Sequence, residues 1–291
     1  MSHLQFPRSP VAIKAQQWSA IACLLGSLCT HAWADATPKG DVTLSAQASV
    51  MNDYVWRGLS QTWGRPAVQF SVTADHVSGA YASFFASNVA SQFVPNASME
   101  TDWSLGYKTK LSGIDLDLGG VYVYYPGANF NKASFTPAYN SSAPTTVELY
   151  ASASASGFTA RLGYIPTKFF GWNENNSGVN GVFNGEQPQA GLTGSSKGAI
   201  NLEGSYTYAL KEGTSLQLVL GHQSVPNSRD LDWTYGRLAL NTDLGNSWSA
   251  NLAASLTSQP KAFKSYGSLT NNGERSNPAR NTVILSLTKA F

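Results

Sequence analysis

Cysteine is nearly missing from this chain: Cys23 and Cys29 are the two present, and both lie within the first 34 residues. Without that segment the chain has no thiol, which excludes disulfide stapling, thiolate catalysis and cysteine-based metal sites. Charge is also scarce, at 12% of residues, about half the share usual in a soluble domain. After residue 34 no run of 18 apolar residues occurs, so spanning helices are excluded. Missing too are a Gly-rich phosphate loop, a G-x-S-x-G elbow and an H-E-x-x-H pair. Their absence removes the commonest signatures of nucleotide, serine-hydrolase and zinc chemistry. No cofactor and no metal site is expected.

The N-terminus carries an export pattern. Arg8 and Lys14 precede an apolar stretch from Trp18 to Cys29, and Ala32-Trp33-Ala34 forms a small-x-small cleavage site before Asp35. This predicts a signal peptide over residues 1–34 and a mature domain over 35–291. Leu28 is too large to precede a lipidated Cys29, so no lipid anchor is expected. Of 19 basic residues, losing Arg8 and Lys14 leaves 17, equal to the 17 acidic ones. No basic stripe remains for nucleic acid.

What is abundant is alternation. Val42, Leu44, Ala46, Ala48 and Val50 oppose Thr43, Ser45, Gln47 and Ser49, and a period of two places the sets on opposite faces of a strand. Extended, the apolar face reaches Tyr54 and Trp56, which predicts an aromatic girdle there. Val147, Leu149, Ala151 and Ala153 oppose Glu148, Tyr150, Ser152 and Ser154; Leu202 and Leu252 head similar sets. Twelve strands follow, over 42–57, 67–77, 80–90, 100–111, 114–125, 145–156, 157–166, 198–210, 214–224, 231–244, 247–258 and 280–291. Strand 80–90 is apolar on both faces, and 231–244 changes parity near Gly236-Arg237, which suggests a bulge; without one of these, ten strands result. Short Gly- or Asn-bearing turns alternate with long polar connectors. That is the sequence form of an all-β, transmembrane antiparallel barrel with long external loops and short periplasmic turns. A mean hydropathy of −0.18 fits it, because lipid-facing and water-facing residues average out. The expected location is the bacterial outer membrane, reached by signal-peptide-directed export, with outer-membrane lipid as the surrounding partner.

The stretches Asp53 to Val89, with D-Y-x-x-R-G-x-S-Q-T and Ser87-Asn88-Val89, and Glu100 to Gly127, with its tyrosine-rich end at Pro126-Gly127, resemble the TorF-type porin family of proteobacteria. Weaker similarity runs through Asp232-Trp233 and Leu285 to Phe291, while Asn173 to Gly198 is longer than the resemblance leads one to expect. The resemblance implies an outer-membrane barrel without a defined solute. The terminal Phe291, on an alternating strand, resembles the signal read by the barrel-assembly machinery, although Lys289 departs from it.

With the apolar face outward, the charged residues of the lumen are Asp53, Arg57, Asp75, Glu100, Asp102, Lys108, Lys110, Asp117, Glu148, Arg161, Glu203, Arg237 and Arg280. Seven acids against six bases predict paired charges and weak ion selectivity. Arg57 and Gln61 could line a mouth, or the Arg57–Thr62 element could be a folded loop bent at Gly58. The reading is a porin passing small hydrophilic solutes through a narrow polar lumen. Alternatives are a non-conducting surface or structural barrel and an outer-membrane lipid hydrolase. The hydrolase rests on His222 and Ser224, whose H-x-S spacing resembles outer-membrane phospholipase A but lacks that family's Asn-Gly-Arg continuation. Nothing assigns an oligomeric state.

Overall fold

The computed structural model describes residues 40–178, 190–271 and 273–291. The leader expected over residues 1–34, with Cys23 and Cys29, lies outside them, as does the middle of the long connector between Asn173 and Gly198. Among the described residues no helix is long and apolar enough to cross a membrane.

Twelve antiparallel strands close into one barrel: β1 (Val42–Met51), β2 (Ala67–His76), β3 (Ala80–Asn88), β4 (Met99–Leu111), β5 (Ile114–Tyr124), β6 (Thr146–Ala155), β7 (Phe158–Ile165), β8 (Ala199–Lys211), β9 (Thr214–Ser224), β10 (Trp233–Gly245), β11 (Trp248–Thr257) and β12 (Thr282–Ala290). Each strand pairs with its chain neighbours, and β12 returns to β1 with Gln47 opposite Ala290 and Met51 opposite Ser286. Closure leaves no unpaired sheet edge, the condition a sheet must meet in a lipid core.

The outer wall is apolar because period two turns one residue set outward along every strand. Leu44 is 70% exposed and Leu202 60%, while their neighbours Thr43 and Glu203 are half-buried inside. Outward aromatics gather near both ends. Tyr122, Tyr124 and Tyr164 lie toward the loops; Tyr107, Phe158, Tyr208 and Trp248 lie toward the turns. Lys289 lies on the turn-side rim. Its ammonium sits 5.7 Å from the Trp248 ring and donates to the Asn246 carbonyl, so the charge lies at headgroup depth. Phe291 is exposed beyond it, tied by its N–H to the Ala46 carbonyl.

The tight turns at Ser112-Gly113 and Ser156-Gly157 have positive φ at both central residues, the hairpin geometry that matches strand twist. Two expectations need correction. First, β1 ends at Met51 rather than 57, so Tyr54 and Trp56 form no girdle; both are buried. Asn52 ends the wall by exchanging side-chain bonds with the backbone of Val283 and Leu285, and the chain then turns inward. Second, register runs unbroken through Gly236-Arg237; the irregularities fall at Ala209/Lys211 and Asp243/Gly245, beside the turns. The apparent parity change arises because Trp233 and Tyr235 are aromatic residues facing inward.

Candidate functional site in the barrel lumen

Accessibility inside the barrel is graded from end to end. Toward the turns several inward hydroxyls and amides remain partly accessible, including Ser45, Gln47, Thr73, Thr159 and Ser205, beside a buried group of Tyr81, Asp117, Ser152, Asn241 and Asn251. Toward the loops the inward positions are buried: Gln69, Ser87, Glu100, Asp102, Glu148, Asn201 and Gln223, with Asn201 and Gln223 at 0%. The lumen is therefore partly accessible at the turn side and filled at the loop side.

The filling begins with the segment after β1. Residues Val55–Trp56 and Leu59–Ser60 form a two-stranded hairpin, with Arg57 at φ 46° and Gly58 at φ 82°. Gly58 is obligatory here: a Cβ would lie 2.4 Å from Thr257 Cγ2. Asp53 fastens the base of the hairpin by accepting from Ser60 Oγ at 2.6 Å and Thr62 Oγ1 at 2.9 Å. Burial pushes the Asp53 carboxyl above its ordinary pKa, and those two hydroxyls offset part of the rise. At the tip, Arg57 donates to Glu148 Oε1 at 2.8 Å and to Gln223 Oε1 at 2.9 Å. Arg161 reaches the same Glu148 oxygen at 2.7 Å. Trp233 Nε1 donates to the Arg57 carbonyl at 2.7 Å. One loop residue is thus bonded to β6, β9 and β10, which locks the hairpin inside the barrel.

Aromatic side chains from four other connectors and from β10 pack around it. Trp56 meets Phe169, Phe170 and Trp233; Phe263 bridges Trp233, Trp172 and Tyr266. Beside this cluster is a small, largely apolar cavity lined by Trp56, Tyr125, Phe169, Phe170 and Tyr266 with Gln61. The periodicity of the strands carries no information about this cluster. The concentration of Trp, Phe and Tyr in connectors was its one sequence signal.

Deeper in the lumen, tyrosines lie over inward glycines of neighbouring strands. A Cβ on Gly106 would meet the Tyr81 ring, one on Gly119 the Tyr150 ring, and one on Gly221 the Tyr235 ring, each within 3 Å. Tyr81 donates to Asp117 at 2.9 Å and contacts the Tyr150 hydroxyl; Tyr235 donates to Glu203 at 2.7 Å. Lys108 pairs with Asp75 at 2.8 Å and lies 4.4 Å from the Tyr81 ring centre. Arg237 donates to Asn251, which donates to Asn241. Glu100 accepts from Tyr54 Oη at 2.6 Å and from Tyr125 Oη. Burial first, then the charge of Glu100, holds the Tyr54 and Tyr125 phenols well above their ordinary range, so both act as donors.

Of the charged residues expected to face the lumen, Asp75, Glu100, Asp102, Lys108, Asp117, Glu148, Arg161, Glu203 and Arg237 lie on inward strand positions. Asp53 and Arg57 come from the inserted hairpin instead. Lys110 is exposed at the turn-side rim, paired with Asp115 at 3.1 Å. Arg280 is exposed in the connector before β12. Gln61 is buried and donates to the Leu59 carbonyl, as a folded loop requires. Among the described residues no three His, Cys, Asp or Glu side chains are grouped to hold a metal ion.

His222 and Ser224 both face outward near the loop end of β9. His222 Nδ1 bonds Thr234 Oγ1 at 3.0 Å, whereas Ser224 Oγ donates to Asp232 at 3.3 Å. The two engage separate partners, and among the described residues no hydrogen bond joins them into the relay a nucleophilic serine needs.

A closed antiparallel barrel with an oily wall, aromatic girdles and a polar interior is the architecture of outer-membrane β-barrels. Residues 35–291 match the family described as "Bacterial protein of unknown function (Gcw_chp)", and the chain belongs to that family. No curated protein sequence matches significantly. Among solved structures, the NanC porin superposes with a TM-score of 0.51 at 11% identity, over 85% of this chain and 99% of that one. The KdgM porin, solved in complex with disordered oligogalacturonate, gives 0.47 at 8% identity, covering 85% and 98%. The COG4313 outer membrane channel from Pseudomonas putida F1 gives 0.40 at 12% identity, covering 88% and 97%.

Proposed function

We propose that this chain is a TorF-type porin of the outer membrane, passing small hydrophilic solutes passively through a lumen whose outer end is restricted by the hairpin carrying Arg57. The observation that carries the reading is the graded interior: hydroxyls and amides toward the turns, then a charge-latched hairpin. Twelve strands enclose more room than the side-chain-filled barrels of eight, which supports a water path narrowed by inserted residues. The D-Y-x-x-R-G-x-S-Q-T element that carries the family resemblance supplies this hairpin, from Asp53 to Thr62. Export through the 1–34 leader and recognition of Phe291 by the assembly machinery complete the proposal.

A second reading has its own support. Complete burial of Asn201 and Gln223 beneath the hairpin suits a barrel that does not conduct and presents its loops at the surface. Planar-bilayer recording separates the two. The porin reading expects small steps from the wild-type protein and larger ones from Arg57→Ala, which releases the hairpin. A folded protein giving no steps in either form supports the non-conducting barrel.

A further inference from the structure

The buried charges of the loop-side lumen are unevenly partnered. Both buried guanidinia, Arg57 and Arg161, are directed at Glu148. Among the described residues no ion pair joins Glu100 or Asp102 to a cationic side chain. Glu100 has its oxygens occupied by the hydroxyls of Tyr54 and Tyr125. Asp102 lies two residues along the same strand face, roughly 7 Å away at the rise of an extended strand. It is 3% exposed, and among the described residues neither of its carboxylate oxygens has a hydrogen-bond partner. Besides Glu100, Glu148 faces the same loop-side half of the lumen two strands away. A buried carboxylate with no donor and two acidic neighbours demands a positive counterpart or a proton.

We propose that Glu100 and Asp102 form a binding site for a small monovalent cation, an alkali ion or a protonated primary amine, in the loop-side half of the lumen. Two carboxylates without a third ligand do not make the cage a divalent ion needs, whereas one net charge with its own water or N–H groups satisfies Asp102. Phe85 stands opposite Asp102 on β3 and lies 6.1 Å from the Tyr54 ring, so the site has an aromatic wall as well as an anionic floor. The local acid excess sets this part of the lumen apart from the near balance of charge along the whole barrel. The binding claim stands whether or not the barrel conducts; its consequence for selectivity rests on the porin reading.

The test uses the folded, full-length mature barrel in detergent. Its unfolding midpoint is followed in KCl, in ethylammonium chloride and in N-methylglucamine chloride, whose cation is too bulky for the site, at equal ionic strength. A site predicts a higher midpoint in KCl or in ethylammonium than in N-methylglucamine, and which salt raises it tells a metal ion from an amine. Asp102→Asn, and to a lesser degree Glu100→Gln, abolishes the difference. If Asp102 simply holds a proton, the midpoint is the same in all three salts, and the site is overturned. In bilayers under a KCl gradient, the wild type should prefer K+ over Cl− and Asp102→Asn should lose that preference. Silent bilayers with the salt-dependent midpoint intact would remove the porin reading and leave the site standing.

Discussion

Glu148 holds two guanidinia on one oxygen, with its side chain 4% exposed. Removing it leaves Arg57 and Arg161 buried without an anion, the situation in which a broken ion pair costs about 3–5 kcal/mol. Glu148→Ala should therefore lower the urea midpoint of the folded barrel far more than a substitution at exposed Glu212, read by heat-modifiable gel mobility. Asp53 is a different case. Its folded pKa is raised, chiefly by burial, so the ionised carboxyl weakens the fold above that pKa and the penalty disappears as pH falls below the unfolded value. Asp53→Asn, which can still accept from Ser60 and Thr62, should be more stable than wild type at pH 7, with the advantage shrinking toward about pH 4, near the unfolded carboxyl value. At this scale the sequence revealed which residues were charged and on which strand face. It could not reveal that Arg57 crosses to β6 and β9, since that contact spans 91 residues to Glu148.

At the scale of elements, strand positions were legible because lipid on one side and water on the other impose period two. Eleven of the twelve expected strands match the observed ones closely, and the differences, in the length of β1 and in the parity read for β10, have local causes. β1 was drawn too long because Tyr54 and Trp56 keep the parity of the wall while leaving it. The parity break expected in β10 came from inward Trp233 and Tyr235; Trp233 packs on Trp56 of the inserted hairpin and Tyr235 lies over Gly221. Hairpin insertion was illegible because it depends on the shape of Gly58 against Thr257 rather than on any pattern. Gly58→Ala should unseat it. Trypsin should then cut after Arg57 in the folded barrel, where the wild-type bond is protected. Equal protection of both proteins would show that the hairpin does not need this close approach.

At the scale of the whole molecule, the protein is a cylinder with an oily exterior, a partly accessible turn side and a latched loop side. An Arg at Leu252, midway along β11 and facing out, should cost about 2–4 kcal/mol in folding into bilayers, whereas Thr207→Arg on the lumen face should be nearly neutral. The sidedness behind that contrast was readable from alternation alone. The grading along the axis was not, because nothing in a period of two distinguishes the top of a strand from its bottom. Cysteine accessibility measures both at once, and Cys23 and Cys29 leave with the expected leader, so single cysteines can be placed freely. In reconstituted barrels open to reagent on both faces, a water-soluble maleimide should label cysteines at Ser45 and Ser205, spare those at Asn201 and Gln223, and leave Leu44 and Leu202 to lipid-phase reagents. Labelling of Asn201 and Gln223 as fast as Ser205, or of Leu202 from water, would contradict it.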